Sequence, residues 1–437
     1  MPMIGSLVRF GRRQLHTIIS REIIKPSSPT PSHLKTYNLS LLDQIMPNIF
    51  MPLVTFYPKT AKYGDHKTLD LKKSLSQTLT KYYPFAGRLS NMAPSSVDCI
   101  DHGVEFLEAS IDTTLSDFLQ HSHRHGLDQF FPHGLVHYKS TYDLQRDQVT
   151  PLEVQVNHFQ CGGVAVAVSL SHKIADGSSL AHFMNDWAKM TRLFSKEQKD
   201  NVFSINPKFM DFQYMKINPL EYKLESSDAC VTKSFLFPNS KINVLKLKVA
   251  EESGQPITSL TRVEVLTWLL YKCAVSAATK NSSGSFKPTG IRQIINLRSK
   301  MEKLTKDTIG NFALPMEVLT KNESEMNPGL VISEMKKQKM QFRALNDMET
   351  VFGILSKSDL KEELRKVADV YACSSFCGYP AYEVDFGWGK PVKATLAGDL
   401  HKNSFVLFDA PNMDGIEALV CLGKDDMAIV ESDPELL

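Results

Sequence analysis

The run Val164-Ala-Val-Ala-Val-Ser-Leu170 constrains this chain most. It is uncharged, β-branched at every second position, and bounded by Gly162-Gly163 before and a polar loop after. A half-exposed strand alternates apolar with polar residues, so a short run without that alternation reads as a strand buried on both faces. Residues 179–193 then return to a helical period, with Leu180, Phe183, Met184 and Trp187 on one face. Residues 159–193 therefore spell strand, tight polar loop, helix.

At 437 residues the chain has room for two or three domains. Ahead of the buried strand, Thr68 to Tyr82 reads as a helix. Leu71, Leu75, Leu79 and Tyr82 form its stripe, Thr68 is a plausible N-cap, and Pro84 and Gly87 end it. Periodicity weakens from about 195 to 235, where Lys, Asn, Pro, Ser and Glu dominate. A second body follows. Ile242 to Val249 alternates like a strand, Thr261-Arg262-Val263-Glu264 is a capping box opening a helix, and Thr289 to Leu297 reads as another strand. The expected division is a basic extension over 1–24, one domain over 25–205, a crossover linker over 206–235 and a second domain over 236–437.

Lys and Arg number 50 against 48 for Asp and Glu, a formal net charge of +2, which excludes the broad basic field of a nucleic-acid binder. No run reaches 18 consecutive apolar residues, which argues against a membrane-spanning helix. Seven scattered cysteines read as reduced thiols of an intracellular protein, since a secreted chain more often carries an even, clustered set. Arg9, Arg12, Arg13 and Arg21 interleave with Leu7, Val8, Leu15, Ile18 and Ile19, with no acidic residue before Glu22. That pattern is the one an organellar transit peptide shows, and the bland reading beside it is a basic tail or a first helix lying on the fold.

Three HxxxD spacings occur: His66/Asp70, His172/Asp176 and His182/Asp186. His66 lies in the polar approach to a helix, and His182 lies within one, where i, i+4 pairing has an ordinary surface explanation. Only His172 leaves a buried strand and precedes Asp-Gly. A histidine held there is either a general base facing a cleft or a core histidine satisfied by a carbonyl. Asp176 either orients it or turns away to lock the loop against a cation. No GxSxG elbow is present, which favours direct transfer over a covalent enzyme intermediate. Asp385-Phe-Gly-Trp-Gly-Lys-Pro391 has the glycines and proline of a tight structural loop. His121, His123 and His125 alternate, but no cysteine or paired carboxylate completes a metal site, so no metal is expected. The absence of GxxxxGK[ST] and GxGxxG speaks against ATP or dinucleotide use.

HKIADG at 172–177 followed by DFGWGKP at 385–391 resembles the plant BAHD acyl-CoA-dependent acyltransferases. The resemblance extends along the chain through YNLSLLDQ (37–44), YYPFAGR (82–88), TRVEVLT (261–267), NLRSK (296–300) and GN (310–311). It points to the clade of vinorine synthase and other alkaloid O-acetyltransferases, with acylsugar acyltransferases similar at the opening. The resemblance implies an α/β fold of two similar chloramphenicol-acetyltransferase-like domains, with mixed β-sheets and a channel between them. It implies His172 as general base, with Asp176 paired to Arg298 and Asp385 structural. Gly177, Trp388 and Asp43 would shape the channel, and Thr261 and Arg262 would meet the CoA phosphates at a helix N-terminus.

The co-substrate expected is an acyl-CoA, acetyl-CoA first, and the acceptor a hydroxyl of a plant specialised metabolite such as an alkaloid. An acylsugar or terpenoid acyltransferase is the alternative, and a non-catalytic small-molecule-binding relative is the alternative from another class. A cytoplasmic monomer is expected. One departure stands out. Where this clade carries Ser-Trp-Cys-Arg, the chain has Ser375-Phe376-Cys377-Gly378, losing an indole donor and a guanidinium. A changed acceptor-pocket wall or a differently supported loop is expected there.

Overall fold

All eight residues of the strand Val164–Ser171 are buried. The reason is its place inside a six-stranded sheet, between Leu152–Phe159 and Phe50–Tyr57, both antiparallel to it. The computed structural model describes residues 16–47, 49–60, 67–90, 95–121, 124–135, 148–195, 205–210, 230–298, 301, 304–343, 345, 350–351, 367, 369–398 and 400–436. One face of this first sheet carries the helices Lys67–Lys81 and Gly177–Ser195. They are pinned to each other by the Trp187 indole N–H, which donates to the Leu71 carbonyl at 3.2 Å and Ser74 Oγ at 3.1 Å. The first helix begins at Lys67, so Thr68 lies in its first turn and does not cap it.

A second six-stranded sheet runs in the order Cys230–Phe237, Ile416–Gly423, Ser404–Asp409, Asp369–Ser375, Thr289–Asn296, Ala313–Thr320. Two of its pairings are parallel and three antiparallel. Among the described residues, this half carries the helices Asn239–Ser253, Arg262–Asn281, Pro328–Arg343 and Lys424–Val430. Both sheets are mixed, as expected of the fold class.

The expected strand over Ile242–Val249 is instead part of the helix Asn239–Ser253. Ile242, Leu245 and Val249 are buried, whereas Val244 and Leu247 are 67% and 60% exposed, which is helical spacing. The Leu-Lys-Leu-Lys-Val run alternates, but Pro238 in front and left-handed Gly254 behind frame a helix.

Three segments cut across the expected division. His16–Ile24, the end of the supposed extension, is an edge strand paired with Val104–Ile111. The acid-free segment with Arg9, Arg12 and Arg13 lies outside the described residues. The last residues of the linker form the strand Cys230–Phe237, while 211–229 lie outside the described residues. Lys393–Leu396, from the second half of the chain, crosses over and pairs with Phe50–Tyr57 in the first sheet. The first core accordingly includes Phe376, Phe386, Trp388 and Phe408 from that half. All seven cysteines are free thiols. Among the described residues no helix is long and apolar enough to cross a membrane.

Candidate active site

His172 follows the buried strand, and its position is set mainly through its backbone. Its N–H donates to the Ile49 carbonyl at 2.8 Å. Its carbonyl accepts from Asn311 Nδ2 at 2.8 Å. The ring lines a cavity of about 940 Å³ whose wall draws on both sheets. Phe50, Met51, Pro52 and Gly177 come from the first half, and Gln293, Ala313, Ser374 and Phe376 from the second. Nδ1 has no hydrogen-bond partner on another residue. Burial lowers the imidazole pKa, against smaller raising effects that include the Asp176 charge and Asn311, so the ring is neutral near pH 7.

Asp176 does not orient the imidazole. Its carboxylate takes Arg298 Nη1 at 2.7 Å and Nη2 at 3.1 Å, the Ser179 N–H at 2.9 Å and the Phe312 N–H at 3.1 Å. Burial alone raises its pKa, but the Arg298 charge and these donors overcome that and hold it below the usual carboxylate range. Arg298 also donates to the Thr308 and Gly310 carbonyls. The pair is buried on both sides and ties the Gly177–Ser195 helix start to the Thr308–Phe312 segment of the second half. Of the other HxxxD matches, His66 lies outside the described residues, and His182 sits 3.2 Å from Asp307 and 3.9 Å from Asp186.

Asp43 is not on the cavity wall. It sits at the third position of the helix Leu41–Ile45 in a capping box with Ser40, and it accepts from the Asn311 N–H and Nδ2. Burial raises its pKa, while the hydrogen bonds from Ser40 and Asn311 pull it back. Trp388 is also off the wall. Asp385 Oδ1 accepts from the Gly387 and Gly389 N–H groups at 2.7 and 2.9 Å, bending a loop whose two glycines have φ of +107° and +108°. Phe386 and Trp388 are buried in the first core, Phe386 edge-on to Trp187 and Trp388 edge-on to Tyr57. The loop therefore acts at a distance: it delivers the Lys393–Leu396 strand, after which Leu396, Ala397 and Gly398 reach the cavity.

At the other end, Thr261 lines the cavity and caps the helix Arg262–Asn281, with Glu264 completing the capping box. Arg262 is turned to Asp409 at 2.9 Å and to Asn239, so its guanidinium is already paired. The altered Ser375–Gly378 stretch does reach the cavity. The Phe376 ring stacks on Phe408 at 4.7 Å, and a Cβ at Gly177 would lie 2.7 Å from it. Gly378 has φ of +81° and donates its N–H to Asp409. Asn311, Ser179, Phe312 and Asp409 carry no separate role in the sequence reading. Several of their contacts join segments more than 100 residues apart, and no spacing announces them. The alternating histidines at 121, 123 and 125 have side chains outside the described residues.

The chain resembles known proteins over nearly its whole length. A family model described as the Transferase family matches residues 16–437. Akuammiline synthase 1 of Alstonia scholaris is 37% identical over 430 residues, covering 96% of each chain. Acylsugar acyltransferase 3 of Solanum lycopersicum is 36% identical, again covering 96% of each. The crystal structure of vinorine synthase superposes with a TM-score of 0.78 at 30% identity, covering 95% of this chain and 96% of that one. With its two mixed sheets matching that fold, the chain belongs to the Transferase family and is an acyltransferase of the BAHD type.

Proposed function

We propose that the protein transfers an acyl group, acetyl first, from acyl-CoA to a hydroxyl of a plant specialised metabolite such as an alkaloid. The carrying observation is a neutral histidine, rigidly held through its backbone, on the wall of a large and mostly apolar cavity between the halves. His172 takes the proton of the acceptor hydroxyl as the oxygen attacks the thioester carbonyl. The tetrahedral intermediate collapses, the C–S bond breaks, and the imidazolium returns its proton to the CoA thiolate. Asp176 and Arg298 hold the loop and stay out of the proton transfer. A short acyl group suits a site whose wall beside Gly177 is already filled by the Phe376 ring. Thr261, at a helix N-terminus on the cavity, would meet a CoA phosphate, with Arg262 joining it only by leaving Asp409. The alkaloid acceptor rests on the resemblance to akuammiline synthase 1, and the sugar alternative on that to acylsugar acyltransferase 3. A cytoplasmic monomer goes with this reading.

The test is mass spectrometry of products from mixed acyl-CoAs with a panel of hydroxylated alkaloids, sugars and terpenoids. Acetylated alkaloid is the expected product. Binding of acetyl-CoA without any acyl product across the panel supports the non-catalytic alternative. A positioned base contributes about 10²–10⁴-fold, so His172→Ala should lose about 3–5 kcal/mol of transition-state stabilisation. A folded His172→Ala protein with wild-type turnover removes the base assignment.

A further inference from the structure

We propose that Asn311, gripped by Asp43, is the positioning residue that holds His172 in its working orientation. The proposal rests on His172 being the base. The carboxylate four residues on cannot serve, because Arg298, Ser179 and Phe312 engage both oxygens of Asp176. What reaches His172 from the second half is the Asn311 side chain, whose Nδ2 donates to the His172 carbonyl at 2.8 Å and to Asp43 Oδ1 at 2.8 Å. The Asn311 main-chain N–H donates to the same Asp43 oxygen at 2.9 Å. The amide orientation is dictated by this pair of acceptors, since a flipped amide would set its oxygen against a carboxylate and a carbonyl.

Asn311 is 1% exposed and Asp43 fully buried, and the Asn311 Oδ1 has no hydrogen-bond partner. The same side chain acts on the imidazole itself, raising its pKa against the larger lowering effect of burial. Asp43 itself is fixed by its capping box with Ser40. The same short helix also holds the next residue: Lys173 Nζ donates to the Gln44 carbonyl at 2.8 Å, near the helix C-terminus where a cation is favoured. Both sides of the peptide after His172 are thus tied to the helix Leu41–Ile45. The adjoining Gly310 carbonyl and Phe312 N–H serve Arg298 and Asp176, so the segment 310–312 joins the ionic lock to the base.

Four proteins test this: wild type, Asn311→Ala, His172→Ala and the double variant, assayed with acetyl-CoA and the panel acceptor that the wild type turns over best. Asn311→Ala should lower kcat about ten- to a hundredfold, with KM for acetyl-CoA within about threefold. In the His172→Ala background the same substitution should cause no further loss, because it acts through the missing ring. An equal loss in both backgrounds, in step with a lowered melting temperature, overturns the proposal in favour of plain structural support. Asp43→Asn, nearly isosteric, should fall in the same direction and serves where Asn311→Ala does not fold. A readout independent of turnover is the His172 imidazole NMR signal, assigned by its loss in His172→Ala. Asp176 and Lys173 bear on this ring by charge and are present in every variant compared. Asn311→Ala should move its titration to lower pH, and an unchanged signal and titration overturn the proposal. If His172→Ala matches wild-type turnover, the base reading fails by itself while the NMR comparison still decides whether Asn311 holds the ring.

Discussion

Asp176→Asn removes the charge from the buried lock while keeping its shape. The carboxylate accepts from four donors: two guanidinium nitrogens and the Ser179 and Phe312 N–H groups. An amide at 176 presents one oxygen to this set and turns its own NH2 toward donors, leaving at least two unsatisfied. Breaking a buried ion pair from one side typically costs about 3–5 kcal/mol. Arg298 keeps the Thr308 and Gly310 carbonyls and Ser179 Oγ, which places the loss toward the lower end of that range. With an unfolding entropy of about 2 cal/mol/K per residue, that lowers the melting midpoint by about 3 °C for cooperative unfolding of the whole chain, and by more if one half melts separately.

Thermal denaturation followed by fluorescence, run beside kcat at a temperature well below the midpoint, measures both effects. The expected result is a lower midpoint with turnover falling alongside it. Arg298→Met added to Asp176→Asn should recover part of the midpoint, because it removes the stranded cation. An unchanged midpoint with a selective loss of turnover would falsify the lock and make Asp176 an orienting residue. The pH dependence has a definite sign. A carboxylate whose folded pKa is depressed stabilises fully above its unfolded value of about 4 and loses that contribution as pH falls through the lower folded value. The lock therefore contributes unchanged at pH 5–8.

The lowered pKa of His172 places the acid limb of kcat/KM below 6.5, and a limb above 6.5 in the wild type contradicts a neutral buried base. Gly177→Ala drives a Cβ into the Phe376 ring at 2.7 Å, so it should lower the melting midpoint by an overpacking cost of about 1–3 kcal/mol. Phe376→Leu in that background should relieve the cost, and failure to do so means the ring is not what limits residue 177. Asp385→Ala strands the Gly387 and Gly389 N–H groups and should destabilise by about 1–3 kcal/mol. Its KM for acetyl-CoA should stay near wild type, since neither Asp385 nor Trp388 lines the cavity; a large KM change refutes the indirect role.

Much was legible in the sequence because the relevant signals are local. Val164–Leu170 announces burial through its uncharged, non-alternating run, Thr261–Glu264 announces a helix start through side chains that bond neighbouring backbone, and both structural motifs keep their glycines where the chain turns. The same locality explains the strand expected over Ile242–Val249: alternation and helical spacing coincide in so short a stretch, and tertiary burial of Ile242, Leu245 and Val249 decides between them. The resemblance supplied the Asp176–Arg298 pairing, which the structure contains.

Sequence by itself determined the kinds of local structure, the identity of the histidine at the strand exit, and the two glycine-containing motifs at 172–177 and 385–391. Only the tertiary structure decided what those residues face. Asp43 and Trp388 lie behind the cavity wall, Arg262 is paired with Asp409, and Asn311 reaches His172 from 139 residues away. The strand Lys393–Leu396 likewise crosses into the first sheet, so the two halves of the sequence are not the two sheets. The physical reason is common to all of these. Hydrogen bonds and packing act over a few ångströms of space, and a chain that returns on itself brings distant segments within that range without leaving a periodic trace in the sequence.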